Sequence, residues 1–270
     1  MAYPRRKHQV ICLLALLLVL LAVSLPVEAS IRIEPSRFIF HIPPGGRTTD
    51  SIIVTNNFDF PITLNAVCYD WNINEKNELV EFEMGTLKES LDGLIRFNPR
   101  QFSLGPGESQ IVRFTINFPE GEGEPFERRG IIFFEHEEEA EIEEGLGAVI
   151  KTMIGALIYA RPSEFSFNFL LIEGKVLSGP SGQQVAALLL GNPSFVHARF
   201  TIDYRVLNAE GEIFEEGEVS EKVFLPETAR PIYIQFAKTY PPGEYRLILE
   251  LKATDIEFRL NEVIPFRVED

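Results

Sequence analysis

The sequence predicts an all-β protein that consists of two immunoglobulin-like β-sandwich domains in tandem. Nearly every segment either alternates apolar and polar residues or is rich in β-branched residues, and both patterns are typical of strands. Clusters of Pro, Gly and Asn interrupt these segments at short intervals, as turns between short strands do. A series of seven or more short strands is the pattern of an immunoglobulin-like sandwich, and the chain contains two such series.

The first 29 residues have the features of an export signal. Arg5, Arg6 and Lys7 precede an apolar stretch over residues 10–25, and the small residues that end at Ala29 suit cleavage by signal peptidase. The apolar stretch is shorter than the roughly twenty residues that a membrane-spanning helix needs. We therefore predict a signal peptide over residues 1–29 and a mature protein in the periplasm, with the extracellular space or the cell surface as the alternative location.

The mature chain is strongly acidic. Cleavage after Ala29 removes three of the 25 Lys and Arg residues and one of the 40 Asp and Glu residues, which leaves 22 against 39 and a net charge of −17. This charge argues against a nucleic-acid partner, whose phosphates would be repelled, and against anionic membrane surfaces. We predict a soluble protein with no stable membrane insertion after signal cleavage.

Residues that could carry chemistry are sparse. Cys68 is the one cysteine of the mature chain, so an intrachain disulfide is excluded, and the strand-like segment LNAVCYDW around it predicts a buried free thiol. No histidine has a second one at metal-ligand spacing, and no catalytic or phosphate-binding motif occurs. We therefore predict a protein that is not an enzyme and that uses no cofactor, metal or small-molecule substrate.

The first series of strands predicts a domain over residues 30–162. Trp71 and Phe97 are its expected core aromatics, and residues 83–92 are the one candidate for a helical turn. The pair Arg161-Pro162 ends the domain, because proline cannot continue a central strand. The predicted strands cover residues 31–41, 51–56, 62–72, 79–82, 94–97, 110–118, 130–135 and 148–160.

The second series predicts another sandwich over residues 163–270. Its spacing of strands and turns again suits an immunoglobulin-like domain of about a hundred residues. The very short linker predicts that the two domains meet at a fixed angle. The predicted strands cover residues 165–172, 185–190, 198–207, 213–224, 232–237, 244–252 and 257–268.

Residues 147–162, GAVIKTMIGALIYARP, form a long and almost uncharged run. At about 3.3 Å per residue they predict a strand much longer than the usual five or six residues. A long apolar strand with an open edge promotes aggregation, so a protein that has one either covers it or pairs it with another chain. Pairing with another chain is the most specific functional hypothesis that the residues offer.

Two charged features have more than one interpretation. The acidic residues 135–144 favour a solvated hairpin loop, although their carboxylates could also bind a divalent cation. Arg37 lies in the apolar strand segment SRFIF, where it could be an ordinary surface residue or could hold the terminal carboxylate of a partner chain. Spacing alone does not decide between these alternatives.

A set of motifs occurs in a fixed order across residues 31–162. They are IEPSRFIF, PPGGRTTDSIIVTNN, FPITLNAVCYDW, LIRFNPRQFSLGPGESQIVRFTI, RRGIIFF and ALIYARP. Their order, the short Arg-Pro junction and the export signal resemble the first domain of periplasmic pilus-assembly chaperones of the chaperone–usher type. The resemblance covers about half of the mature chain, whereas the second domain matches that family only as a generic sandwich.

The resemblance implies two immunoglobulin-like domains arranged as a boomerang and a mechanism of strand addition. In that family, a pilus subunit that lacks its final strand is held along the chaperone's long strand before the domain junction. For this chain, strand addition would run along residues 148–157. The implied partner is a pilus or fimbrial subunit, and an outer-membrane usher is a candidate second partner.

The family also holds the terminal carboxylate of the subunit with two cations in the cleft. The cation of the first strand corresponds to Arg37. The second is a lysine shortly before the junction tyrosine, where this chain has Ile154, or Gly155 if the junction is aligned on Arg-Pro instead, and the nearest cation is Lys151. The partner-binding residues that the resemblance predicts are Arg37, Ala148, Ile150, Lys151, Thr152 and Ile154.

The main alternative is a structural or adhesive surface protein without chaperone activity. Its long strand would be closed within its own sheet or by self-association. The glycine and alanine content of GAVIKTMIGALI and the missing lysine favour this alternative. A binding module that holds a cation through residues 135–144 is a third hypothesis.

Overall fold

The computed structural model describes residues 30–74, 76–120, 126–143, 146–179 and 183–269, and only the backbone of residues 139–143 and 146–148. The predicted signal peptide lies outside these residues. All regular structure in the described residues is β, which confirms the predicted fold class. No helix in this part of the chain is long and apolar enough to cross a membrane.

The strands are numbered in chain order. They are β1 (Ile31–Glu34), β2 (Arg37–Ile42), β3 (Arg47–Asn56), β4 (Ile62–Ile73), β5 (Leu79–Phe82), β6 (Ile95–Asn98), β7 (Gln101–Leu104), β8 (Ser109–Asn117), β9 (Arg128–Glu143), β10 (Leu146–Pro162), β11 (Leu170–Ser178), β12 (Gln183–Asn192), β13 (Ala198–Leu207), β14 (Ile213–Phe224), β15 (Thr228–Thr239), β16 (Gly243–Ala253) and β17 (Arg259–Val268).

The strands up to β10 form a first sandwich of two sheets around one apolar core. One sheet has the order β1-β3-β8-β6, and the other has the order β2-β10-β9-β4-β5 with β7 also paired to β4. Alternate residues point inward, as in β4, where Ile62, Leu64 and Ala66 are buried. Each large apolar side chain buried in this way stabilises the fold by roughly 1.5–3 kcal/mol.

The strands from β11 onward form a second sandwich with the sheets β11-β12-β15 and β14-β13-β16-β17. Aromatic side chains fill much of its core. The ring of Phe169 stacks on Phe200 at 4.1 Å and meets Phe224 edge-on at 4.8 Å, both measured between ring centroids. The chain changes from one pair of sheets to the other between Pro162 and Leu170, and the domain boundary at residue 162 stays a prediction.

The prediction of one continuous strand over residues 31–41 is wrong. β1 ends at Glu34 and pairs with β3, whereas β2 starts at Arg37 and pairs with β10 in the opposite sheet. Pro35 lies between them and has no backbone N–H with which to continue a ladder. The chain therefore passes from one sheet to the other here, and this passage brings Arg37 beside β10.

Other strand and helix predictions also differ from the structure. Residues 83–92 form turns instead of a helical turn, because Gly85 has a positive φ of 86° that a right-handed helix does not allow. The strand expected to start at residue 165 starts at Leu170, and β7 was not predicted.

Cys68 is a buried free thiol, as the sequence predicts, and burial raises its pKa to about 12. The two expected core aromatics have different surroundings. Trp71 is buried, but against a residue of the second sandwich and not in the first core. Phe97 is half-buried at the border of the first core.

Among the described residues, each sandwich has one buried asparagine, which lies at the end of a strand. Nδ2 of Asn56 donates to three carbonyl oxygens at 2.9, 3.1 and 3.1 Å, and its Oδ1 accepts from the N–H of Phe58. Nδ2 of Asn192 likewise donates to three carbonyl oxygens, and its Oδ1 accepts from the N–H of Ser194. Both side chains use their donors and acceptor where water is excluded, so each stabilises the loop around it.

Candidate partner-binding edge and interdomain cleft

β9 and β10 form a long hairpin that extends beyond the strands paired with it on either side. The two strands pair antiparallel from Leu146 to Ala160 of β10, whereas β4 pairs with β9 only up to Glu135 among the described residues. The acidic residues 136–143 therefore continue β9 as a strand, and the prediction of a hairpin loop is wrong for them. Residue 144 lies outside the described part, as do the side chains of residues 139–143.

The opposite flank of β10 is paired over a short part of its length. β2 runs parallel to β10 from Leu157 to Pro162. In the described ranges, no strand pairs with this flank between Gly147 and Ala156. β10 therefore presents an open edge that is about 33 Å long at 3.3 Å per residue.

The backbone of β10 shows which groups this open edge offers. Leu157 donates its N–H to the carbonyl of Ser36 at 3.0 Å, so its backbone groups point toward β2. Backbone groups alternate between the two flanks of a strand, so the N–H and C=O groups of Gly155, Met153 and Lys151 point to the open flank. An added strand can therefore form hydrogen bonds to β10 without any change in the β9–β10 ladder.

The side chains of β10 alternate between two faces. Ala156 and Ile158 lie in the first core, so the even-numbered residues before them continue the same face. Ile154 packs partly against that core, Thr152 is half-buried, and Ile150 is 54% exposed. Three of the predicted partner-binding residues thus share one face that passes from the core into solvent.

The other two predicted residues of β10 have different surroundings. Ala148 belongs to the same face by its position, but only its backbone is described. Lys151 lies on the other face, where its Nζ is 2.9 Å from Oε2 of Glu135. Leu157 is the register partner of Arg37, and at 3.3 Å per residue the six residues from Lys151 to Leu157 span about 20 Å. Lys151 and Arg37 therefore do not face one carboxylate together.

Arg37 lies in the cleft between the sandwiches, with 44% of its side chain exposed. Its Nη1 is 3.5 Å from Oε1 of Glu221 on β14, and the same oxygen accepts a hydrogen bond from Nη1 of Arg199 on β13 at 2.8 Å. Nη2 of Arg199 also donates to the hydroxyl of Tyr159 at 3.3 Å. Burial raises the pKa of Glu221, but Thr254 and Arg199 outweigh this effect and hold that pKa below its usual value.

A second group of charges, the junction cluster, is buried deeper between the sandwiches. It consists of Glu127 and Arg161 from the first sandwich and of His197 and Asp255 from the second. Arg161 donates through Nε to Glu127 at 2.9 Å and through Nη2 to Asp255 at 2.6 Å. The ring nitrogens of His197 lie 2.7 Å from Glu127 and 3.3 Å from Asp255. All four side chains are at most 9% exposed, so the cluster fixes the two sandwiches to each other.

The junction cluster lowers the pKa values of its acids. Burial alone raises the pKa of Glu127, but His197 and Arg161 outweigh it and hold this pKa below its usual value. The pKa of Asp255 is lowered in the same way, against the effect of its burial. Both carboxylates are therefore ionised at neutral pH, and the guanidinium of Arg161 lies between them.

An apolar contact beside the junction cluster completes the interface. Leu225, between β14 and β15, packs into a buried cluster with Trp71, Ile131 and Tyr159 of the first sandwich. The ring of Tyr159 stacks on that of His197 with 3.7 Å between centroids. Tyr159 and Arg161 both belong to β10, so one strand supplies the open edge and part of the interface.

Sequence reasoning did not find Arg199, Glu221 or the junction cluster. In the sequence, Arg161 marks only the end of a domain and His197 is an isolated histidine. These residues come from distant segments and meet only because the two sandwiches pack together. The one local signal is a charged residue between apolar neighbours, as in Ala198-Arg199-Phe200.

Comparisons with known proteins give similarities of fold. The class 5 fimbriae chaperone CfaA is 14% identical, with 87% of this chain and 98% of that chain covered and a TM-score of 0.47. The YadV chaperone is 12% identical, with 87% and 99% covered and a TM-score of 0.46. A chain of the CsuC–CsuE chaperone–tip adhesion subunit pre-assembly complex from the archaic chaperone–usher Csu pili of Acinetobacter baumannii is 12% identical, with 88% and 98% covered and a TM-score of 0.44.

Each of these three similarities covers most of this chain and nearly all of the other chain. No family model and no curated protein matches the sequence.

Proposed function

We propose that the protein is a periplasmic chaperone-like protein that binds a pilus or surface-fibre subunit by β-strand addition. The observation that supports this function most directly is the open edge of β10 between Gly147 and Ala156. Backbone hydrogen bonds to an added strand supply affinity in this mode of recognition, and alternate side chains supply specificity. β9 holds the edge in the extended conformation that such pairing requires.

The direction of β2 indicates how the partner strand would run. β2 is parallel to β10 and begins at Arg37. A partner strand that continues the line of β2 along the open edge would also be parallel to β10, and its carboxyl end would lie beside Arg37. A guanidinium binds a carboxylate through charge-assisted hydrogen bonds, so Arg37 is placed to hold the terminal carboxylate of the partner.

The side chains on the even-numbered face of β10 would pack into the partner. Ile150 is exposed and apolar, and Ile154 extends the first core toward it. A subunit sandwich that lacks one strand has an open apolar groove, and this row of side chains would fill it. Each cross-strand pair contributes roughly 0.2–1 kcal/mol.

Two matched peptides test the proposal. The acid peptide is a fluorescein-labelled strand of ten alternating Val and Thr residues with a free terminal carboxylate, and the amide peptide is the same chain with a terminal amide. We expect the acid peptide to bind about fivefold more tightly, because an exposed ion pair with Arg37 contributes about 1 kcal/mol. Arg37→Ala should reduce this difference, which fluorescence anisotropy measures.

Ile150→Glu tests the face of the strand. It should weaken both peptides about two- to fivefold, because it places a charge opposite a valine of the added strand. Val149→Glu is the matched control, since Val149 is 64% exposed and lies on the other face of β10. If Arg37→Ala and Ile150→Glu both bind the acid peptide as tightly as the parent does, the proposed function is wrong.

A second copy of the chain is the competing occupant of the open edge, as the structural or adhesive alternative requires. Light scattering after gel filtration distinguishes the two. A dimer that Ile150→Glu converts to monomer, together with no binding of either peptide, would favour self-association. The periplasmic location depends on the predicted signal peptide, and a mature amino terminus at Ser30 in the exported protein would support it.

A further inference from the structure

The cleft beside the open edge contains two arginines and one carboxylate that they share. Arg199 and Arg37, one from each sandwich, approach the same oxygen of Glu221 at 2.8 and 3.5 Å. The other carboxylate oxygen of Glu221 accepts from the hydroxyl of Thr254 at 2.7 Å. Glu221 is thus held as an incoming carboxylate would be, by two cations and a hydroxyl.

A β-bulge aims Glu221 into this cleft. Between β13 and β14, Phe200 pairs with Lys222 but Ile202 pairs with Val219, so two residues of β14, Ser220 and Glu221, lie opposite one residue of β13. A bulge of this kind changes the direction in which the following side chains point.

The side chains on either side of the bulge show the change of face. Val219 packs against the core of the second sandwich, whereas Val223 packs against the apolar contact with the first sandwich. Without the bulge, residues of the same parity would share one face. Glu221 would then point toward the core in place of the cleft.

The exposed fractions of these side chains suit a Glu221 carboxylate that a ligand carboxylate can displace. Glu221 is 35% exposed and Arg37 is 44% exposed, so solvent and a ligand reach both. The side chain of Arg199 is only 9% exposed, and an anchored tyrosine hydroxyl fixes its position. Arg199 is therefore a buried cation behind two partly exposed side chains.

We propose that Glu221 is an internal stand-in for the terminal carboxylate of a partner strand, and that Arg199 is the second cation that holds this carboxylate with Arg37. This inference rests on the proposed function, because it assigns an occupant to the same cleft. In the free protein, the carboxylate of Glu221 forms ion pairs with both arginines and so fills the carboxylate site. A partner whose chain end reaches the cleft must displace Glu221, so this side chain lowers the affinity for chain ends.

The acid and amide peptides test this competition through a set of matched variants. Glu221→Gln should bind the acid peptide about three- to tenfold more tightly, because a site that is blocked for nine-tenths of the time has a tenfold weaker apparent affinity. The amide peptide should be unaffected. Glu218→Gln removes the same charge from an exposed position of the same strand and should change neither affinity.

A second pair of variants assigns the arginines. In an Arg37→Ala background, the gain from Glu221→Gln should shrink, because residues that share one ligand are not additive. Arg199→Lys keeps the charge but loses the planar guanidinium, which can donate two parallel hydrogen bonds to a carboxylate. In the Glu221→Gln background, it should therefore lower the preference for the acid peptide over the amide peptide. Thermal unfolding of each variant checks that the cleft stays folded.

The results separate this inference from the proposed function. Equal binding of the acid peptide by Glu221→Gln and Glu218→Gln, with the preference of the parent for the acid peptide intact, overturns the inference alone. Equal binding of acid and amide peptides by the parent and by Glu221→Gln overturns both the carboxylate site and the inference. A gain from Glu221→Gln that is equally large for the amide peptide also overturns the inference, because such a gain does not depend on a carboxylate.

Discussion

Replacement of Arg161 by methionine should destabilise the protein more than almost any other single change at the interface. Methionine replaces the aliphatic part of the side chain and carries no charge. The change removes the three shortest hydrogen bonds of the guanidinium, to Glu127 at 2.9 Å, to Asp255 at 2.6 Å and to the carbonyl of His197 at 2.7 Å. Hydrogen bonds to charged groups contribute about 1.5–3 kcal/mol each.

The sum of those three contributions overstates the loss, because His197 stays beside both carboxylates. Removal of one partner from a buried ion pair costs about 3–5 kcal/mol, and we expect Arg161→Met to lower the free energy of unfolding by this amount. Urea unfolding measures it through the fluorescence of Trp71, the one tryptophan of the chain. Trp71 lies in the apolar contact between the sandwiches, so it reports on this interface.

Two comparisons show whether the charge is the cause. Arg32→Met removes an exposed ion pair with Glu34 and should cost less than about 1 kcal/mol. Adding Glu127→Gln and Asp255→Asn to Arg161→Met should recover part of the loss, because no buried carboxylate is then left without a cation. If Arg161→Met unfolds within about 1 kcal/mol of the parent, the junction cluster does not hold the sandwiches together in the way described here.

Three further predictions concern other buried groups. The pKa of Glu127 is lowered in the folded state, so the contribution of Glu127 to stability is present above the unfolded pKa of about 4.3 and is lost as pH falls below that value. Urea midpoints measured between pH 6 and pH 3 should therefore decline, and Glu127→Gln should reduce this decline. An equal decline in the variant would refute this cause. Cys68 has a pKa raised to about 12, so it should react with iodoacetamide only after unfolding in urea, and rapid labelling of the native protein would contradict its burial. Asn56→Ala and Asn192→Ala should each lower the free energy of unfolding of the sandwich that contains the residue by about 1–3 kcal/mol, because both changes leave buried carbonyls without a donor. An unchanged melting temperature in either variant would be inconsistent with this role.

The local pattern of the sequence was sufficient to predict many strands. The segments predicted over residues 198–207 and 213–224 coincide with β13 and β14, because alternation depends only on which face of the strand is buried. The split at Pro35 was missed, since a proline also fits the start or edge of a strand. The acidic strand after Glu135 was missed as well, because pairing with β10 outweighs the repulsion that favours a loop.

The candidate site was predictable only in part. The length of β10 and the place of Arg37 follow from the motifs and from the resemblance that they carry. The open edge depends on where β2 begins and ends, which local pattern does not specify. Arg199, Glu221 and the junction cluster require the packing of two domains and the bulge in β14. The partner-binding roles of Arg37, Lys151 and the other residues of β10 stay predictions.

β10 is buried in the interface at its carboxyl end and has an exposed edge along the part before Ala156. The end around Tyr159 and Arg161 is held between both sandwiches, while among the described residues the part before Ala156 is paired with β9 alone. The interface between the sandwiches and the exposed part of β10 are thus joined by one continuous backbone, so a substitution that changes how the sandwiches pack would also change where the exposed part lies.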